Sequence, residues 1–334
     1  TLEVVIREEP AYKEVVDLVV SWICINILKT ELMDFLVGYN KVLDLEETIE
    51  KELIKKALSK HFIKTFYTMK KIAIIFSIFS IIFFSCKKNT PAEYNTSQKG
   101  LISVEFDNIV GGQDLQLGTG TYTNSSNEKY TVTLLKYFVS NFKFTNVDGS
   151  IYTVPQDSCY FLIDESNVNR HEAEMHIPEG EYKSVTFTLG VDSLRNTKDV
   201  SQRTGDLDVT DTASDMYWSW NSGYIFFKLE GTSPVINSMG NAFMYHVGGF
   251  GGYSTPTDNN LKTITLDLTS RGTAKVKANK PEGVNIHTMV DINKVFSGTN
   301  TISLATTNMV HSISAAVPIA ANLGGIFTHD HTEN

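Results

Sequence analysis

The stretch Tyr130-Thr-Val-Thr-Leu-Leu-Lys-Tyr-Phe-Val-Ser-Asn-Phe-Lys-Phe144 decides the fold. It is rich in β-branched and aromatic residues, which suit a pleated and half-buried surface, and it contains neither Gly nor Pro. It runs up to Asp148-Gly149, a pair that supplies the turn of a tight hairpin, and residues 151–154 then return as the second strand. Working outward, Ile102, Val104 and Phe106 alternate on one face of an earlier strand. Further strands are predicted over 159–163, 181–191, 224–230, 243–247, 262–268 and 274–278. Clusters of Gly, Pro, Asn and Asp separate them. Helical spacing is confined to 291–296 and 312–323. The expected fold is all-β, an antiparallel β-sandwich with short helices near the C-terminus, formed as one domain over 101–334.

Composition narrows the function. The chain has 334 residues, with 29 Lys and Arg against 38 Asp and Glu, a formal net charge of −9. Nothing in that balance neutralises phosphates, so no nucleic-acid partner is expected. The three cysteines, Cys24, Cys86 and Cys159, are too few for a disulfide scaffold or a four-thiolate zinc site. No apolar run reaches the roughly 20 residues of a membrane-spanning helix.

Residues 69–86 read Met-Lys-Lys-Ile-Ala-Ile-Ile-Phe-Ser-Ile-Phe-Ser-Ile-Ile-Phe-Phe-Ser-Cys. Two lysines after a Met, then an uncharged Ile/Phe stretch, have the form of a secretory signal peptide. A small residue directly before Cys86 resembles a bacterial lipoprotein processing site. On that reading 69–85 is removed, Cys86 carries lipid, and the polar segment 86–100 tethers the fold to the membrane. The expected location is the cell envelope, as an outer-membrane lipoprotein, periplasmic or surface-exposed. The 68 residues before Met69 carry helix-like apolar spacing. They are read as upstream read-through or an extra helical segment without a functional role. An unpaired Cys159 in an oxidising compartment is expected to be buried and inert.

No standard catalytic motif is present: no Gly-x-Ser-x-Gly elbow, no His-Glu-x-x-His, no haem-attachment Cys-x-x-Cys-His. No enzyme is expected. Asp206, Asp208 and Asp211 lie in a loop that reads as a solvated acidic turn, with a calcium site as the alternative. Trp218 and Trp220 are two apart and would share one face of a strand. Further on come Phe243-Met-Tyr-His-Val-Gly-Gly249, Asn285-Ile-His-Thr-Met-Val-Asp-Ile-Asn-Lys-Val-Phe296 and Phe327-Thr-His-Asp-His331. Neutral imidazole suits either copper oxidation state, and thioethers such as Met216 or Met289 favour the reduced one. The His-Asp-His segment reads either as a chelating tail or as a frayed terminus.

Five stretches in this order resemble the MbnP-like family, in particular its lipoprotein members from Bacteroidetes-type bacteria. They are Tyr137-Phe-Val-Ser-Asn-Phe142, Gly190-Val-Asp-Ser193, Met216-Tyr-Trp-Ser-Trp-Asn-Ser-Gly-Tyr224, Tyr245-His-Val-Gly-Gly249 and the segment from His287 to Phe296. The family's namesake is a copper protein encoded beside methanobactin genes. The resemblance implies a β-rich envelope protein that binds copper for metal handling or uptake. It also implies a partner resembling a di-haem cytochrome c peroxidase, which oxidises a tryptophan to kynurenine. Carried over by position, His246 and His287 are the metal ligands, and Trp218 or Trp220 is the modified tryptophan. The two histidines are expected to converge beside an indole. The competing reading is an envelope lipoprotein that binds glycans or another protein through an exposed aromatic platform.

Overall fold

The computed structural model describes residues 94–213, 215–218 and 221–334, with a few positions between 26 and 34. The expectations for the segment before Met69, the signal peptide, Cys86 and Trp220 therefore fall on residues that, apart from those few positions, lie outside the described ones. The chain divides after Thr90, and the unit Pro91–Asn334 carries all that follows.

Among the described residues of this unit are fifteen strands and two α-helices, with short 3-10 turns between them. In chain order they are β1 (Lys99–Val110), β2 (Gln113–Asp114), β3 (Tyr122–Thr123), β4 (Lys129–Asn146), β5 (Ile151–Thr153), β6 (Tyr160–Asp164), β7 (Glu172–Pro178), β8 (Gly180–Leu189), α1 (Ser193–Asn196), β9 (Ile225–Thr232), β10 (Ala242–Gly248), β11 (Lys262–Asp267), β12 (Ala274–Val276), β13 (Val284–Asp291), β14 (Met309–Val310), α2 (Ile313–Leu323) and β15 (Phe327–Glu333). The stretch quoted first is β4, and its turn holds Gly149 at φ 91°, a conformation glycine adopts without steric cost. The predicted helix over 312–323 is α2, capped by the Ser312 side chain, which accepts from the Ala315 N–H. The segment 291–296 forms one 3-10 turn instead, capped by Asp291.

Two sheets form. The smaller has five strands in the order β15-β13-β1-β2, with β7 also paired to β1. The larger has ten, along β11-β8-β4-β9-β10-β14, with β12 on β8 and β3, β5 and β6 on β4. The expectation of a purely antiparallel sandwich is corrected: each sheet is mixed. β1 runs parallel to β13, with Ile102 opposite Val284 and Glu105 opposite His287. β10 runs parallel to β14, with Met244 opposite Met309. Parallel neighbours cannot be joined by a tight turn, so such pairings need long connections, and hairpin signals in the sequence do not announce them.

The main core lies between the sheets. Ile102, Val104 and Phe106 on β1 are fully buried, as their alternation requires. Phe106 meets Tyr137 and Phe187 of the larger sheet, ring centroids 6.1 and 5.6 Å away, and Phe327 of its own sheet at 6.2 Å. These edge-on contacts tie the two faces together. A second, smaller core lies apart from it. There Phe138, Leu162, Met216, Trp218, Tyr224, Phe226 and Phe250 pack together. β4 thus buries both faces in its middle, Tyr137 in one core and Phe138 in the other. Cys159 is buried within the main core, and burial pushes its thiol pKa up, so it stays protonated and unreactive.

The chain joins the fold slightly earlier than the 101 boundary. β1 begins at Lys99, the Asn95 N–H donates to Glu179, and the Lys277 ammonium sits 4.2 Å from the centre of the Tyr94 ring.

Candidate metal centre

β10 alternates cleanly. Phe243, Tyr245 and Val247 are buried in the main core, and Met244 and His246 point to the opposite face. On β14 the residue opposite Met244 is Met309, and His311 follows two positions later. The parallel register therefore lays two Met-x-His tripeptides side by side. Their imidazoles meet: His246 Nδ1 is 3.1 Å from His311 Nδ1, with the rings nearly perpendicular at 83°.

The tautomer of His246 is set from behind. Its Nε2 donates to Glu230 Oε1 at 2.7 Å, which leaves Nδ1 as the lone pair facing His311. Glu230 stands opposite Met244 on β9, and Lys228 stands opposite His246. A chain of charges continues across the sheet. Lys228 Nζ is 3.8 Å from Glu230 and 3.3 Å from Asp215, and Lys136 Nζ lies 3.2 Å from Asp215 and 3.3 Å from Asp164. Burial lowers the His246 pKa, and the nearby His311 and Lys228 push the same way, against the Glu230 hydrogen bond. The neutral, ligating form is favoured.

Trp218 belongs to the same neighbourhood. Residues 216–218 pair antiparallel with 223–225 as the two arms of a small hairpin, the Trp218 N–H donating to the Gly223 carbonyl and the Ile225 N–H to that of Met216. The indole is 7% exposed and lies against Gly248, two residues along β10 from His246. A Cβ at position 248 would sit 2.5 Å from Trp218 Cζ3, so the indole seats on bare backbone. On the flank of this hairpin an open cavity of about 430 Å³ is lined by Arg203, Tyr217, Asn221, Phe250 and Tyr253.

His287 is elsewhere. It projects from β13 in the smaller sheet, where Nδ1 meets Glu105 Oε2 at 3.1 Å and the ring stacks on His331 with centroids 4.2 Å apart. The expected convergence of His246 and His287 is therefore corrected. They lie in different sheets and share no partner among the described residues, and each faces another histidine instead. Local sequence patterns do not single out His311. Its signal was present, since Met309-Val-His311 repeats the Met244-Tyr-His246 pattern, but only the β10–β14 pairing makes the repeat meaningful.

The C-terminal segment is a strand rather than a frayed tail. β15 pairs with β13, and a bulge between His287 and Thr288 sets Thr288 opposite His329 but His287 opposite His331. The extra residue, Asp330, turns His331 to the outer face while His329 lies beside the fully buried Thr288. The two histidines consequently do not chelate together. In the acidic loop, Asp206 accepts from the Leu162 N–H and from Arg170, and Asp208 accepts from Thr210. Those carboxylates are engaged by protein donors, as a structural turn requires.

No curated protein sequence matches the chain. A solved structure, MbnP from Methylosinus trichosporium, aligns at 16% identity over 61% of this chain and 80% of that one, with a TM-score of 0.44. The profile of the MbnP family matches residues 99–313, a span that takes in β1, the Trp218 hairpin, His246, His287 and His311. On that match the chain belongs to the MbnP family.

Proposed function

We propose that this protein binds copper in the bacterial envelope through His246 and His311, for handling or uptake of the metal and without catalysis of its own. The observation that carries the reading is the 3.1 Å approach of the two Nδ1 atoms, with Glu230 holding the outer nitrogen of His246. Two bonds of about 2.0–2.1 Å to one ion place imidazole nitrogens a little over 3 Å apart, so the pair is spaced for a shared metal. Met244 and Met309 flank it, and thioethers with imidazoles form a soft donor set that suits Cu(I). Copper there would supply an electron-accepting, soft Lewis-acid centre. The protein's part is to hold two imidazoles at the right span, keep a carboxylate behind one of them, and set an indole alongside.

Trp218, buried near His246, is the candidate for oxidation to kynurenine by a partner resembling a di-haem cytochrome c peroxidase. Lipid attachment at Cys86 after removal of 69–85 would hold the domain at the outer membrane. An aromatic platform for glycans gains no support from Trp218, whose ring is buried.

Titrating metal-free protein with Cu(I) and with Cu(II) tests the reading. One tight copper per chain is expected for the wild type, with affinity lost in His246→Ala and His311→Ala. Unchanged stoichiometry and affinity in both variants would remove these residues from the site.

A further inference from the structure

The outer face of the five-stranded sheet carries a second constellation. Register aligns Glu172 on β7, Glu105 on β1, His287 on β13 and His331 on β15 in one row across four strands. In the adjoining row Asn285 stands opposite Glu333. One ligand atom from each of His287, His331 and Glu333 lies within 4.8 Å of the others. A carboxylate again stands at the Nδ1 of each ring. Glu105 Oε2 lies 3.1 Å from His287 Nδ1, and Asp330 Oδ2 lies 2.8 Å from His331 Nδ1. The Nε2 atoms of both rings face Glu333, at 3.7 and 3.6 Å. His287 Nε2 is buried and has no hydrogen-bond partner among the described residues.

We propose that His287, His331 and Glu333 form a second metal site, for a divalent first-row cation of the Zn2+ type. Two imidazoles and a carboxylate with an open fourth position match the ligand set of a three-coordinate protein zinc site completed by water. Glu333 adds a carboxylate oxygen, a harder donor than a thioether, so the set suits a divalent ion better than Cu(I). His287 is the fixed member, with Glu105 behind it as positioning residue. His331 and Glu333 are 46% and 65% exposed, and their side chains swing inward to close the shell around the ion. The bulge at Asp330 is what makes this possible, because an unbroken strand would put His331 on the face opposite His287. His331 and Glu333 lie beyond the span that matches the family profile, so this site stands independently of the copper assignment.

The test is calorimetric titration of the full chain with Zn2+, together with Co2+ loading, in which a four-coordinate site gives strong visible absorption. Both should report one such site in the wild type and in the His246→Ala/His311→Ala double variant. Removing a partner behind a ligand typically weakens metal binding about 10–100-fold, and removing a ligand itself at least as much. Zn2+ affinity should therefore fall about 100-fold or more in His287→Ala and His331→Ala, and about 10–100-fold in Glu105→Gln. Glu333→Gln, at an exposed strand end, removes a ligand with little risk to folding, and thermal melts without metal check all variants. Unchanged Zn2+ binding in folded Glu333→Gln and His331→Ala would overturn the proposal. So would Zn2+ binding that disappears in the His246→Ala/His311→Ala variant.

Discussion

His246 and His311 face each other Nδ1 to Nδ1 at 3.1 Å, although 65 positions separate them in the chain. What makes the approach chemically useful is Glu230, which accepts from His246 Nε2 at 2.7 Å. Without that acceptor the ring can hold its proton on Nδ1, and the lone pair then points away from His311. Glu230→Gln should therefore weaken copper binding by about 10–100-fold while leaving the fold intact, the usual effect of removing a carboxylate behind a metal-binding histidine. Competition titrations against a copper chelator would measure it. An affinity equal to that of the wild type would show that Glu230 does not set the tautomer.

Gly248 gives the indole its seat. A methyl group there would meet Trp218 Cζ3 at 2.5 Å and the Tyr224 carbonyl oxygen at 2.8 Å, and the backbone atom cannot yield. Gly248→Ala should push Trp218 out of its pocket, cost about 1–3 kcal/mol as overpacking does, and red-shift the tryptophan emission as the ring meets water. Urea unfolding followed by fluorescence reports both effects at once. A variant with wild-type stability and emission would mean that the indole does not depend on this contact.

Much of this architecture can be read locally, and the rest cannot for identifiable reasons. β4 announces itself because its apolar and β-branched residues are dense and end in Asp-Gly. α2 does so through its apolar spacing and the Ser312 cap. β15 does not, because Phe-Thr-His-Asp-His-Thr-Glu carries one large apolar residue and is stabilised by backbone pairing with β13, with polar side chains outward. β7 hides similarly, its Glu172, Glu174 and His176 outward and its end marked by Pro178. At the sites, the resemblance points to His246 and His287 one at a time. The partners, His311 for one and His331 for the other, follow from a parallel register and from a bulge, and neither leaves a local mark on the chain.

The two sheets depend on Phe106. Its ring contacts Tyr137 and Phe187 across the interface and Phe327 beside it, and it is fully buried. Phe106→Ala should destabilise the domain by about 3–5 kcal/mol, the range for a large aromatic removed from a packed core. Denaturant midpoints would show the loss. A cost below about 1 kcal/mol would mean that the core collapses around the gap more readily than this packing implies.

Glu128 makes stability depend on pH. Its carboxylate accepts from Asn124 Nδ2 and Ser303 Oγ at 2.7 Å each, and from the N–H groups of Leu304 and Ala305 at 2.7 and 3.1 Å. It thereby pins the 303–305 loop, and with it the approach to β14 and His311, onto the start of β4. Burial pushes its pKa up, but these four donors outweigh burial and hold it below the ordinary glutamate value. A carboxylate whose pKa is depressed in the folded state adds stability that is fully present above its unfolded pKa of about 4.3. That contribution fades as pH falls through the folded value. Glu128→Gln should cost roughly 1–3 kcal/mol at neutral pH, since one acceptor oxygen is replaced by a donor facing N–H groups. The gap between wild type and variant should then narrow in urea titrations run at successively lower pH from 6 to about 3. A gap that stays constant over that interval would show that the carboxylate's charge contributes nothing and that shape alone holds the loop.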